Sequence, residues 1–149
     1  MASTRVCLVV DVPPDRLWAK LFEFGTWHTW LREIADSHIE GSDAPYVPVG
    51  SVRAVGPTGN PFVRERLVAC DNAKRVITYE VADEPVWPYP AGRNYRGTAA
   101  VIALTDNSGR SVIEWSGAYD CDARDEAQMS ELLTGLYHSF IDGLVGAAK

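Results

Sequence analysis

Apolar and polar residues change period repeatedly along the chain, and each change marks a different kind of element. Val6-Cys7-Leu8-Val9-Val10-Asp11-Val12 is β-branched and apolar, which predicts a strand. Pro13-Pro14-Asp15 ends it and can open a helix, because proline's fixed φ and missing N–H cost little in a first helical turn. Leu17, Trp18, Leu21 and Phe22 follow at helical spacing. Gly25 is expected to close that helix, and Thr26 to cap a short second one through Arg32. From Ala35 the period falls to two, through expected strands 35–40, 51–55, 62–70, 75–82, 95–105 and 111–119. Their separators, such as Gly56-Pro57-Thr58-Gly59-Asn60-Pro61 and Asp106-Asn107-Ser108-Gly109, are turn formers, and such short links imply antiparallel neighbours. Helical period returns from Asp125 to Val145, with Met129, Leu132, Leu133, Leu136, Phe140 and Leu144 on one stripe. Strand, two short helices, a run of antiparallel strands and one long helix describe a single α+β domain over residues 1–149.

An antiparallel sheet covered on one side alternates apolar inward and polar outward. Ile77, Tyr79 and Val81 share one face against Thr78 and Glu80, and Ile113, Trp115 and Tyr119 share one against Glu114 and Ser116. Tyr95, Gly97, Ala99, Val101 and Ala103 form another, blurred by Ile102 and Leu104. In the strand 62–70, Val63, Leu67 and Ala69 share a parity with Glu65, while Arg64 and Arg66 point the other way. A covered apolar face would therefore hold a carboxylate inside, where an unpaired charge costs several kcal/mol. Either Glu65 reaches water near the strand end, or it is a polar anchor in a pocket.

Composition narrows the function classes. The chain has 149 residues, 46% of them hydrophobic, enough for a core without disulfides or metal. A formal charge of −6 disfavours nucleic acid and anionic lipid as partners, since both call for a basic face. Cys7, Cys70 and Cys121 are odd in number and widely spaced, as expected of reduced thiols in a cytoplasmic protein. The N-terminal apolar run is too short for a signal peptide or a membrane span. No Walker loop, HExxH, dinucleotide fingerprint or GxSxG elbow occurs, and His28, His38 and His138 lack ligand spacing, so neither cofactor nor metal is expected. His38 and His138 are read as surface residues.

Several segments together carry a family resemblance. They are Gly25-Thr26-Trp27-His28-Thr29-Trp30-Leu31 after the first helix, Val63-Arg64-Glu65-Arg66-Leu67 running to Asp71, Arg75-Val76-Ile77-Thr78-Tyr79, Asn94-Tyr95-Arg96 and Val112-Ile113-Glu114-Trp115-Ser116. Their order resembles the START-like or SRPBCC superfamily, which includes polyketide cyclase/dehydrase-type proteins, the birch-pollen-allergen fold and the plant abscisic acid receptors. The resemblance implies a helix-grip fold, in which a curved seven-stranded antiparallel sheet wraps the C-terminal helix around an apolar cavity. Matched to the receptors, it places His28 where they carry an acid-anchoring lysine and Trp30 at an aromatic wall. It also turns Glu65, Tyr79, Tyr95 and Trp115 toward the cavity, with Leu132, Leu136 and Phe140 on the helix stripe that faces the ligand. The gate loop would be 55–61 and the latch loop 84–93. The gate's own motif is absent, His stands for Lys and the latch is longer, so a hormone-receptor role does not follow.

Three readings of His28, Glu65, Tyr79 and Tyr95 remain open. They orient a small hydrophobic molecule (polyketide-, lipid- or aromatic-like) in a pocket. Alternatively they form a cyclase/dehydratase active site, with Glu65 or His28 as base and a tyrosine hydroxyl at the developing enolate; or they only satisfy one another. Pocket lining accounts for every residue named, so binding leads, in a monomer or weak homodimer. The five tryptophans divide accordingly. Trp18 belongs to the core, Trp27 has no assigned role, Trp30 and Trp115 line the cavity, and Trp87, among Pro85, Pro88 and Pro90, is placed as a flap over its mouth.

Overall fold

Each run of period-two alternation becomes a strand of one sheet in the computed structural model, which describes residues 1–44, 46–57, 63–82 and 91–149. The strands are β1 (Ala2–Val10), β2 (Ile34–Ile39), β3 (Val52–Pro57), β4 (Val63–Asp71), β5 (Val76–Val81), β6 (Arg93–Ala103) and β7 (Ser111–Asp120). All neighbours pair antiparallel, in the order β1-β7-β6-β5-β4-β3-β2. Helix α1 (Pro14–Phe22) and the 3-10 helix η1 (Phe24–Thr29) follow β1, and the 23-residue helix α2 (Glu126–Ala148) ends the fold. α2 packs on β1, β7 and α1, the helix-grip arrangement. Among the described residues, no helix is long and apolar enough to cross a membrane.

Four local readings are corrected by packing. β1 begins at Ala2 rather than Val6, because pairing with β7 reaches Ala2–Tyr119 and buries Thr4, whose hydroxyl meets Tyr119 Oη at 2.9 Å. Thr26 does not cap a second helix; it lies inside η1, donating to the Glu23 carbonyl at 3.0 Å. In β4 the register shifts between Leu67 and Ala69, so Ala69 turns outward and Cys70, opposite Ile77, packs against the core. That bulge reverses the parity that alternation alone would continue.

The stripe on α2 is the fourth. Its buried residues are Met129, Leu133, Tyr137, Phe140, Ile141, Leu144 and Ala148. At 3.6 residues per turn, Leu132 points about 120° from the centre of that set. It is 44% exposed, and Leu136 is only partly buried at the stripe's flank. Tyr137 takes the central place that hydropathy alone gave to leucine. Gly143 brings α2 onto the backbone after η1, since a Cβ there would overlap the Trp30 carbonyl oxygen.

Candidate functional site

Arg53 on β3 and Glu65 on β4 are direct cross-strand partners, and both side chains turn inward. The Arg53 side chain is 2% exposed and that of Glu65 14%. Arg53 Nε and Nη2 both reach Glu65 Oε2, at 2.8 and 2.6 Å, while Nη1 donates to the Phe24 carbonyl at 2.9 Å. The guanidinium carbon lies 3.9 Å from the Phe24 ring centre and 4.3 Å from that of Trp27. Stripping water from two charges is expensive. Here a fork of donors, a backbone acceptor and two aromatic faces offset that cost. Both contacts to Glu65 fall on Oε2, which leaves Oε1 uncommitted among the described residues.

Beside the ion pair runs a chain of polar tips on aromatic rings. Trp115 Nε1 donates to Tyr79 Oη at 3.1 Å, the Tyr79 and Tyr95 ring centres are 6.3 Å apart, and the Tyr95 and Tyr137 hydroxyls are 2.6 Å apart. Trp27 meets both Tyr79 and Trp115 edge-on at 5.6 Å, and Phe140 of α2 lies 5.1 Å from Trp115. Room for the phenols comes from two glycines paired across β6 and β7. A Cβ on Gly97 would sit 2.5 Å from Tyr79 Cζ, and one on Gly117 would collide with the Tyr137 hydroxyl.

Burial, and next the negative charge of Glu65, push the Tyr79 phenol up to about 12. Burial likewise holds Tyr95 well above the ordinary phenol range, helped by its tyrosine neighbours. The fold therefore keeps protons that the unfolded chain releases. Between the unfolded value of 10.0 and about 12 the native state binds more protons, so stability falls as pH rises through that window. Urea unfolding at stepped alkaline pH is expected to show this loss, with a shallower slope in Tyr79→Phe.

The structure thus packs Tyr79, Tyr95 and Trp115 into one buried core cluster with Trp30 and Phe140, and sets the Arg53–Glu65 pair at its side, with the Arg53 guanidinium 5.7 Å from the Tyr79 ring centre. Trp30 Nε1 is buried without a partner among the described residues. Trp27, given no role by the pattern, is central to the cluster and donates to the Leu21 carbonyl at 2.9 Å. Trp18 is core, as its helix face predicts, and donates to Asn72 Oδ1. His28 lines a cleft between η1 and β2, of about 240 Å3. His38 and His138 are exposed. Trp87 and most of the segments 55–61 and 84–93 lie outside the described residues. A second cleft, of about 640 Å3, wraps the strand ends where β5 leads toward β6. Outward-facing Arg66, Glu80 and Arg96 line it with inward-facing Val81 and Tyr95, so Tyr95 is common to this cleft and the interior hydroxyl chain.

This combination of sheet, gripping helix and polar-tipped aromatic interior coincides with a match along the whole chain. The family model for polyketide cyclase / dehydrase and lipid transport covers residues 1–149. The chain belongs to that family. Similar solved structures include the protein XoxI from Bacillus cereus, at 25% identity and TM-score 0.80, covering 99% of this chain and 95% of that one. A protein from Nitrosospira multiformis matches at 22% identity and TM-score 0.78, covering 99% and 96% of the two chains. One from Thermobifida fusca matches at 21% and 0.80, covering 99% and 93%. No curated protein matches the chain. For this member of the polyketide cyclase / dehydrase and lipid transport family, sequence reasoning missed Arg53, Tyr137 and the Gly97–Gly117 pair. A signal existed for Arg53, which shares parity with Val55 on a strand adjacent to the one carrying Glu65.

Proposed function

We propose that the protein binds a small hydrophobic, oxygen-bearing molecule (polyketide-, lipid- or aromatic-like) against the aromatic interior between the sheet and α2. The observation that carries this reading is the half-committed carboxylate of Glu65. One oxygen is fixed by Arg53, the other is unclaimed among the described residues, and the Phe24 and Trp27 rings cover the Arg53 guanidinium. A purely structural ion pair of this burial contributes little net stability, whereas a fixed polar group in an apolar enclosure orients a ligand. The Trp115, Tyr79 and Tyr95 tips supply further fixed polar groups. The family description supports the same class.

Tryptophan emission tests it, because Trp27, Trp30 and Trp115 lie in the enclosure. Titration with oleate, 2-naphthol and anilinonaphthalene sulfonate is expected to give saturable quenching by at least one probe. Trp115→Phe should remove part of the signal, and Glu65→Gln should weaken a hydroxyl-bearing probe about tenfold, the value of a hydrogen bond to a charged group. Absence of saturable quenching by every probe, together with no small molecule retained in native mass spectrometry, would sink the proposal.

One observation favours a second, catalytic reading. Burial, with the Glu65 charge adding to it, raises the Tyr79 phenol, which stays protonated at neutral pH, and the Arg53 guanidinium that holds Glu65 lies 5.7 Å from the Tyr79 ring centre. A carboxylate beside a phenol donor is the pair needed to remove a proton next to a carbonyl and hydrogen-bond the resulting enolate. This reading requires cyclised product from a poly-β-keto thioester, lost in Glu65→Gln with the fold intact.

A further inference from the structure

The ladder between β5 and β6 stops at Glu80–Arg96, and the cleft of about 640 Å3 opens just beyond that pair. On β5, Val81 pairs with Glu65 of β4 but takes no partner on β6 among the described residues. On β6 the register slips between Arg93 and Arg96, and Asn94 adopts a left-handed φ of 51°. A bulge of this kind bends its strand away from the regular ladder. The splayed ends therefore turn side chains from both faces of the sheet into one cleft, Arg66, Glu80 and Arg96 from the outer face and Val81 from the inner. The volume falls within the range of small-molecule sites.

Charge decides what fits. Arg66, Glu80 and Arg96 are successive cross-strand partners on β4, β5 and β6. Arg66 Nη1 donates to Glu80 Oε1 at 2.6 Å and Arg96 Nη2 to Oε2 at 3.0 Å, so two guanidinium groups converge on one carboxylate. Those hydrogen bonds, from Arg96 and then Arg66, hold the Glu80 carboxyl below the usual carboxylate range, and it is ionised at neutral pH. Two arginines against one glutamate leave one net positive charge, in a chain whose formal charge is −6. Each guanidinium carries five N–H donors, and Nε and the second Nη of both arginines have no partner among the described residues. Both side chains are open to solvent, at 42% for Arg66 and 53% for Arg96. A single excess positive charge on planar forks suits a carboxylate, which accepts along a guanidinium edge. Met1, Val81, Ala82 and Ala118 add apolar lining. We infer that this cleft is a second binding site, taking a small amphipathic monocarboxylate with its carboxylate on the spare donors of Arg66 and Arg96 and its apolar part along Val81, Ala82 and Ala118. The inference stands on this cleft and not on the interior reading, with which it shares Tyr95.

The test is a titration of the full chain with sodium octanoate at neutral pH, followed by the Glu80, Val81 and Arg96 amide NMR signals, with 1-octanol and sodium acetate as matched controls. Saturable shifts with octanoate are expected, and weaker binding of both controls, since one lacks the charge and the other the chain. Arg66→Gln and Arg96→Gln should each weaken octanoate about threefold, the scale of an exposed ion pair, and the two together about tenfold. Because both arginines are exposed, the amide spectrum of each variant should keep the wild-type pattern away from the cleft. Quenching by the neutral probe 2-naphthol should also stay at its wild-type value, which separates this site from the interior. Unchanged octanoate affinity in the double variant, 1-octanol or acetate binding as tightly as octanoate, or shifts confined to the aromatic interior would overturn the inference.

Discussion

Arg53→Ala is expected to destabilise the protein by about 3 kcal/mol, the low end of the cost of breaking a buried ion pair, because Glu65 is only partly buried. Glu65 would stay turned inward without its counter-ion, and the Phe24 carbonyl would lose the donor that now reaches it at 2.9 Å. The faces of Phe24 and Trp27 would also lose the cation between them. Arg53→Lys separates these contributions. Lysine keeps the charge but cannot make the fork to Oε2 or stack as a plane, so an intermediate loss is expected. Replacing the pair together, as Arg53→Met with Glu65→Leu, removes both buried charges and is expected within about 2 kcal/mol of wild type. Urea unfolding measures all three. A loss below about 1 kcal/mol in Arg53→Ala would show that solvent reaches Glu65 and that the carboxylate is not enclosed. The double variant also bears on function: a stable fold that no longer distinguishes hydroxyl-bearing probes would locate selectivity in the pair.

Much of the fold was legible because the signals are local. Alternation at Ile77, Tyr79, Ile113 and Trp115 is enforced residue by residue by a covered sheet, and those side chains are all inward and buried. The terminal helix was legible for the same reason, to within a few residues at each end. What failed was whatever depends on a partner distant in sequence. Nothing near residue 68 announces a bulge, yet it reverses Ala69 and Cys70. Arg53 reads as an ordinary polar residue until β3 and β4 are set in register and Glu65 faces it. Tyr137 was passed over because a phenol scores as half-polar, although a buried hydroxyl is satisfied once Tyr95 lies 2.6 Å away. The family resemblance supplied orientation at Trp30, where periodicity is silent beside a 3-10 helix. For His28 it suggested the ligand cavity, whereas the structure sets that residue in the wall of the η1–β2 cleft.

Gly117→Ala is expected to be the most damaging single-methyl addition to the interior. Its Cβ would collide with the Tyr137 hydroxyl and come within 2.8 Å of Tyr95 Cε2, both in the middle of the packed aromatic cluster. Overpacking of this kind costs about 1–3 kcal/mol, and little compliance is available here. Tyr137 is carried by α2, whose approach is already fixed by the contact of Gly143 with the Trp30 backbone. The collision has a specific atom as its cause, which makes the explanation testable. Tyr137→Phe deletes that oxygen, at about 1 kcal/mol for the lost hydrogen bond to Tyr95. If the hydroxyl is the obstacle, Gly117→Ala in the Tyr137→Phe background should cost clearly less than in wild type, a favourable coupling in a double-mutant cycle. Strict additivity would mean that Gly117 is needed for backbone reasons in β7, and that the phenols are not seated by the glycine. The same cycle reports on the proposed pocket. Should the variant combining Gly117→Ala with Tyr137→Phe keep its stability yet lose quenching by a hydroxyl-bearing probe, the Tyr95–Tyr137 pair serves recognition as well as packing.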